Sequence, residues 1–503
     1  MDVRGGKIEG VLECVVRAAR ERARVVAMSV VDVETGAREE SDAADLLERG
    51  RACARRVPAE MARGQVIVLF GAAGAEFAAW VLAGMMRGVL VLPVGGNVPA
   101  AEVVQTCVRA RAAGVVLSGR DNETVAGVRD ALAAWAAGHG VRVIGDEGTG
   151  ESLRGSGGGV GHDDEGGGVV LASSGTTGLP KLIVRTRSAL DADGAAVLGG
   201  LGLTPEDVVL AAVPLTHSFG LDLLLGCWYA GAELRVHSAF DAAALACEAE
   251  RATVVAGVPF TFEALARCLP GGKGRPRVWV SAGATLSARV RREFRERWGG
   301  EISNLYGATE LGTVTVERAD AAGFDEASVG RALPGVSLRV LDMATMRDVE
   351  RGSEGHLGVR APSMLTDVLD GAVEMHEGHL LTGDLARVDK HGKLHITGRI
   401  KLLIDAGAFK VNPLEVEAVL REHPAVGECV VVASAASETV NRLRAVWVAR
   451  EDVDIAAKSD EEMERALREF LRARLAPHKV PRRFERVPAL ARLASGKVKR
   501  VGL

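Results

Sequence analysis

Cysteine pairs are missing from this sequence. Its seven cysteines are scattered singly and no Cys-x-x-Cys occurs. That excludes the common zinc-site patterns and argues for free thiols in a reducing cytoplasm. Long apolar runs are missing too. The best candidate, Phe77–Met86, is bounded by Glu76 and Arg87 and falls far short of a membrane span. Met1–Arg24 is charged throughout, so no signal peptide is expected. Net charge is small, −4 at neutral pH, which gives no electrostatic reason to expect nucleic acid or an anionic membrane as partner. Aromatic residues make up only 4% of the chain, against 48% hydrophobic, a balance that fits a soluble α/β enzyme rich in Ala, Val and Gly. At 503 residues two or more domains are expected.

What is present is a regular alternation. Met1–Arg24 reads as an amphipathic helix and Arg24–Val33 as a strand. Helix Ala43–Ala62, strand Gln65–Gly71, helix Ala75–Arg87, strand Val89–Pro93, helix Pro99–Ala112 and strand Gly114–Leu117 follow. The strands are short continuous Val/Ile/Leu runs, as expected where both faces are covered. Such an alternation predicts an α/β fold with a doubly wound, largely parallel sheet. Gly155–Gly168 reads as a polar loop whose His162, Asp163, Asp164 and Glu165 form a solvated charge cluster rather than a metal site. From Leu402 the pattern changes to a compact α+β unit: helix Pro413–Glu422, strands Cys429–Ala433 and Arg444–Val448, helix Asp460–Leu475 and strand Arg483–Val487. The division expected is 1–400 for a large domain and 401–503 for a small one.

Ser173–Lys181 reads SSGTTGLPK after the apolar Val169-Val170-Leu171. Gly175 and Gly178 let backbone N–H groups turn toward an anion, and Ser173, Ser174, Thr176 and Thr177 add hydroxyl donors. Lys181 supplies a compact charge for a phosphate oxygen. The Walker spacing is absent, so a P-loop NTPase is excluded; the plain alternative is a polar turn between strands. Further on, Asn304-Leu-Tyr-Gly-Ala-Thr-Glu310 brings a ring, a hydroxyl and a carboxylate within five residues. Tyr306 is one of only two tyrosines and can stack on a purine. Thr309 can donate to a phosphate oxygen, and Glu310 suits Mg²⁺, a hard cation that takes carboxylate and phosphate oxygens. In Thr382-Gly383-Asp384 the carboxylate can accept both hydroxyls of a ribose, or simply cap a turn.

The phosphate loop, Tyr-Gly-x-Thr-Glu, Thr-Gly-Asp, Gly398-Arg399 and the terminal Ser495-Gly496-Lys497 stand in the order found in the adenylate-forming superfamily: acyl-CoA synthetases, adenylation domains and luciferases. The sequence resembles that superfamily over nearly its whole length. Pro214-Leu-Thr-His217-Ser-Phe-Gly220 is similar to the acyl-CoA synthetase segment whose histidine lies beside the substrate carboxylate and helps gate the thiol. Asp222 does not fit the aspartate of the amino-acid-activating branch, which points to an acid without an α-amino group. The resemblance implies that Gly283 and Ala284 line the adenine and acyl pocket, the plain alternative being a tight turn into a helix Ser287–Trp298; it further implies that Arg399 contacts the nucleotide, that Lys401 is the hinge between domains and that Lys497 is the catalytic lysine. It also implies ATP, Mg²⁺ and CoA, or the phosphopantetheine of a separate carrier protein, since no fused carrier domain is expected after Arg500. Transfer to a carrier, or an inactive nucleotide-binding homologue, are the alternatives. Ala406–Asn412 lacks the Gly-Gly of many relatives and Leu182 follows the loop lysine; the first departure bears on the thiol acceptor. The basic tail around Lys479, Arg482, Arg483, Arg492, Lys497, Lys499 and Arg500 reads as a solvated face or, alternatively, a nucleic-acid contact.

Overall fold

Runs of Val, Ile and Leu that are apolar on both faces form the centres of two sheets. Val66–Phe70 is buried at every position and lies between parallel Leu90–Val94 and Gly114–Leu117. These strands belong to a seven-stranded sheet in the order Asp367–Asp370, Lys181–Thr186, Gly168–Ser173, Leu90–Val94, Val66–Phe70, Gly114–Leu117, Arg142–Ile144. A nine-stranded sheet runs Arg331–Ala332, Gly312–Glu317, Ile302–Ala308, Val278–Ser281, Val254–Gly257, Val208–Ala211, Glu233–His237, Val26–Val31, Arg38–Asp42. Both are parallel in the middle and antiparallel toward an edge. The computed structural model describes residues 10–21, 26–96, 98–118, 123–144, 167–173, 180–268, 276–405, 410–435, 441–450, 459–492, 498 and 500.

The chain divides into two compact units. The first comprises Met1–Gly283, Arg297–Ser337 and Arg360–Glu374; the second comprises Ala284–Glu296, Leu338–Val359 and Met375–Leu503. In the first unit both sheets share one apolar core with the helices Ala43–Arg56, Gly74–Arg87, Arg187–Leu201 and Ser218–Ala230. The apolar run around Phe77–Met86 is the middle of Gly74–Arg87, a helix apolar on nearly all sides and therefore buried on all sides; Phe77 and Trp80 are fully buried. Truncating such a ring typically costs about 3–5 kcal/mol. Among the described residues no helix is long and apolar enough to cross a membrane.

The second unit holds an antiparallel sheet of Ser337–Leu341, Gly355–Arg360, His379–Val388 and Met375–His376, with Leu394–Arg399 paired on His379–Val388. It ends in the three-stranded sheet Val426–Ala435, Asn441–Ala449, Arg483–Arg486 with helices Pro413–Leu420 and Asp460–Arg472. Asp460–Arg472 starts from a reciprocal cap, Ser459 Oγ accepting from the Glu462 amide and Glu462 accepting from the Ser459 amide. Its Met463, Leu467 and Leu471 make one buried stripe. Lys401 lies inside this unit, in the 3-10 turn Ile400–Leu402. The α/β architecture is as expected, with several strands the sequence pattern did not reveal, Arg38–Asp42, Lys181–Thr186, Glu233–His237 and Gly312–Glu317 among them. Arg38–Asp42 (REESD) has no apolar alternation and pairs at the sheet edge, where charged strands are tolerated. Lys181–Thr186 leads directly into helix Arg187–Leu201.

Candidate active site

Four strands of the nine-stranded sheet set the frame. Val208–Ala211, Val254–Gly257, Val278–Ser281 and Ile302–Ala308 are adjacent and parallel, with Ala256 opposite Ala211, Gly257 opposite Ser281 and Ser281 opposite Asn304. The segments leaving their carboxyl ends therefore emerge along one edge, the place where open α/β sheets bind ligands. Those segments carry His217, Val258, Gly283 and Tyr306. Gly283 and Ala284 are exposed there, and Gly283 has a left-handed φ of 81°.

His217 is exposed and caps helix Ser218–Ala230; its carbonyl accepts from the Leu221 amide at 3.0 Å. Gly220 explains its own place in the motif. A Cβ there would collide with the Pro214 carbonyl, 2.7 Å from its carbon and 2.8 Å from Leu215 Cα. The first helical turn is thus folded tightly back on Pro214. We expect Gly220→Ala to destabilise the protein by about 1–3 kcal/mol, the usual range for overpacking, and to lower the adenylation expected from the sequence about threefold to tenfold because His217 shifts with the turn. Denaturant unfolding and steady-state kinetics check this; unchanged values for both would refute the packing argument.

Strand Ile302–Ala308 turns at Thr309 and Glu310 into Gly312–Glu317, with Tyr306 opposite Thr315. The turn is tied down from outside. The Glu310 carbonyl accepts from the Leu365 amide at 2.7 Å, and Ser363 Oγ donates to the Leu311 carbonyl at 2.7 Å. Behind the strand, Asn304 donates to the Ser328 carbonyl at 2.7 Å, so the segment beginning at Ser328 braces it.

The strands on either side of the predicted phosphate loop, Gly168–Ser173 and Lys181–Thr186, pair antiparallel, with Ser173 opposite Lys181. Ser174, Gly175, Thr176, Thr177 and Gly178 lie outside the described residues. Ser173 is buried at the hairpin mouth. Lys181 donates to the Ala372 carbonyl, its stem passing over Gly371. Four residues along the same strand is Arg185, which the sequence reading passed over. It is fully buried, donating to Asp193 at 2.7 Å and to Asp222 at 3.3 Å. Asp193 also accepts from the Thr313 amide at 2.9 Å. Burial, reinforced by the Asp193 carboxylate, pushes the Asp222 carboxyl well above the usual range. Burial acts the same way on Asp193, but the Arg185 guanidinium, the Asp222 hydrogen bond and the Thr313 amide outweigh it and hold that carboxyl low. The signal available in the sequence was an arginine inside an otherwise apolar strand.

In the second unit Asp384 is buried and faces Arg399 across the hairpin, Oδ1 to Nε 2.6 Å. Thr382–Asp384 is held by three bonds. Thr382 Oγ1 donates to the Leu357 carbonyl and accepts from the Asp384 amide, each at 3.0 Å, and the Gly383 amide donates to His356 Nε2 at 3.0 Å. His356, also unforeseen, thus fixes the turn carrying Asp384. Lys497 lies outside the described residues, as do His162–Glu165 and Ala406–Phe409. Its flanking residues Arg492 and Val498 pair as an antiparallel bridge. Three members of the basic tail form internal ion pairs: Arg492 with Glu428 at 2.5 Å, Arg500 with buried Glu417 at 2.6 Å, and Lys479 with Glu415 at 2.6 Å.

A parallel sheet edge carrying His217, Gly283, Tyr306 and Glu310, an antiparallel strand pair carrying Lys181, and an α+β end fit the adenylate-forming fold. The chain belongs to the AMP-binding enzyme family, which matches residues 16–367, while the AMP-binding enzyme C-terminal domain matches residues 415–497. It is 30% identical over 344 residues to the medium-chain fatty-acid–CoA ligase of Escherichia coli, covering 66% of this chain and 59% of that protein. It is 31% identical over 352 residues to the indoleacetate–CoA ligase of Aromatoleum aromaticum, covering 66% of each. The matches thus span about three fifths to two thirds of the length of these curated relatives. The ATP-bound structure of MatB from Rhodopseudomonas palustris superposes with a TM-score of 0.83 at 25% identity, over 97% of both chains.

Proposed function

We propose that this chain activates a carboxylic acid with ATP to an acyl-adenylate and transfers the acyl group to the thiol of CoA, releasing pyrophosphate and then AMP. The observation that carries the reading is the match of both family segments, 16–367 and 415–497, on a chain that retains Lys181, Glu310, Asp384 and Lys497. The acceptor is taken from relatives named as CoA ligases. In the first step the acid's carboxylate oxygen attacks the α-phosphorus and the bond to pyrophosphate breaks. Positioning and charge neutralisation dominate such a step. Lys181 and the hydroxyls of residues 173–177 would hold the phosphates, Thr309 would donate to one, and Tyr306 would stack on the adenine. Asp384 would take the ribose hydroxyls and Arg399 would contact the nucleotide. Lys497 would bridge the carboxylate and the α-phosphate. His217 would lie beside the acid and then admit the thiol. A half-exposed glutamate in a turn whose backbone is already tied fits a hard cation, so Glu310 would hold Mg²⁺, which offsets phosphate charge when bound. The large domain would be 1–400 and the mobile one 401–503, working in the cytoplasm.

The test is acid-dependent exchange of pyrophosphate into ATP, across short, medium, long-chain and aryl acids, each repeated with CoA. Exchange with one class and CoA-dependent AMP release is expected. Exchange without CoA turnover would replace CoA by a carrier protein's phosphopantetheine; no exchange with any acid would overturn the ligase reading.

A further inference from the structure

We infer that Arg185, through Asp193 and Asp222, is a positioning residue that fixes the phosphate-loop strand, the His217 helix and the Tyr306–Glu310 hairpin in register with one another. The kinetic part of its test rests on the ligase reading; the binding part does not.

The observation is a convergence. Arg185 belongs to the strand that begins with Lys181. Asp222 lies five residues past His217, on the helix that His217 caps. Asp193, on helix Arg187–Leu201, holds the Thr313 amide just past the Glu310 turn with its second oxygen. One guanidinium therefore touches, directly or through one carboxylate, the three segments carrying Lys181, His217 and Glu310. The hairpin lies directly against it. Gly312 has a φ of 68°, and a Cβ there would sit 2.7 Å from both Arg185 Nη2 and Asp193 Oδ1. A planar fork of fixed donors suits this joint, and a lysine cannot reproduce it.

The charges balance. Burial and the Asp193 carboxylate both push the Asp222 carboxyl up, while Arg185 and the Thr313 amide hold Asp193 low, so the three groups favour one cation facing one anion. A buried pair of that kind is weak evidence for stability by itself and is best attested as a device for register. The backbone bonds of Leu365 to Glu310 and Thr366 to Val184 tie the hairpin to the strand, and Arg185 adds the His217 helix to that joint through directed hydrogen bonds, which resist sliding more than apolar packing does. A displacement of about 1 Å at a reacting site can cost up to about 10²-fold in rate.

The test uses the full-length protein and its Arg185→Lys, Asp222→Asn and Asp222→Ala variants, with thermal melting, calorimetric ATP binding and adenylation kinetics. Lysine keeps the charge but cannot span both carboxylates. Arg185→Lys should melt cooperatively, bind ATP about tenfold more weakly and lose about tenfold in kcat, with KM for the acid within about threefold. Asparagine at 222 preserves both bonds of a neutral carboxyl and should stay within about twofold of wild type. A folded Arg185→Lys with kcat and ATP affinity within twofold of wild type overturns the proposal, as does an Asp222→Asn that falls as far as Arg185→Lys. If Arg185→Lys does not fold, Asp222→Ala decides, because it leaves the Arg185–Asp193 pair balanced. Weaker ATP binding that Asp222→Asn restores supports positioning; wild-type affinity overturns it. A wild type inactive with every acid sinks the ligase reading alone, and the ATP affinities then decide this proposal. A wild type that binds no ATP overturns both.

Discussion

Replacing Lys497 by alanine is expected to lower adenylation about 10²–10³-fold, the usual cost of losing one preorganised donor at a developing charge. Thioester formation from a pre-made acyl-adenylate should survive. The asymmetry follows from the chemistry. The first step brings two anions together, a carboxylate and a triphosphate, and a bridging ammonium offsets their repulsion where it is greatest. The second step begins from an acyl-adenylate, in which that repulsion is already gone. The described residues on either side of Lys497 are tied down. Arg492 and Val498 bridge across the intervening residues, Arg492 is paired with Glu428, and Arg500 grips buried Glu417 with two nitrogens, at 2.6 and 2.8 Å. Pyrophosphate exchange reports the first half-reaction, and release of acyl-CoA from synthetic acyl-adenylate the second. Equal losses in both would remove Lys497 from the role assigned to it.

The order of motifs was legible because each is a local solution to a local problem. Gly220 is there because Pro214 leaves no room for a Cβ, and Gly312 because Arg185 and Asp193 leave none. The alternation of apolar strands and helices was legible for a similar reason: a strand covered on both faces has few other compositions. Lys181–Thr186 was passed over because its KLIVRT carries charge at both ends of a short apolar run. Arg185, Asp193 and Asp222 were unreadable as a group. They come from three elements up to 37 residues apart, and nothing local tells a buried arginine from a surface one. His356 was hidden likewise, since its partner is the Gly383 backbone 27 residues on. The basic tail misled in the opposite direction. Charge along a sequence says nothing of its partners, and Arg492, Arg500 and Lys479 find theirs inside the chain.

Lys401→Pro should slow thioester formation about 10²-fold while adenylation stays within about threefold. Lys401 is exposed in a single 3-10 turn, Ile400–Leu402, closed by the Leu403 amide on the Ile400 carbonyl at 3.1 Å. Upstream is Arg399, paired with Asp384; downstream is the short pair of Ile404–Asp405 with Lys410–Val411. Asn412 reaches back across the turn to the Thr397 carbonyl at 2.7 Å, its amide resting on Gly398. A few residues able to absorb a large change in φ and ψ are what a hinge needs. Proline fixes φ at its own position and drives the preceding residue, here Ile400, out of helical values. The two half-reactions of this family would require different placements of the C-terminal residues, so fixing the turn should burden whichever step needs the rearrangement. Retention of the Asp384–Arg399 pair would leave the nucleotide contacts proposed for these two residues intact. Single-turnover measurements of acyl-adenylate formation, and of its consumption by CoA, separate the two rates. If proline slows both by the same factor, the turn is structural and the hinge must be sought elsewhere; if consumption alone slows, the pivot lies at Lys401.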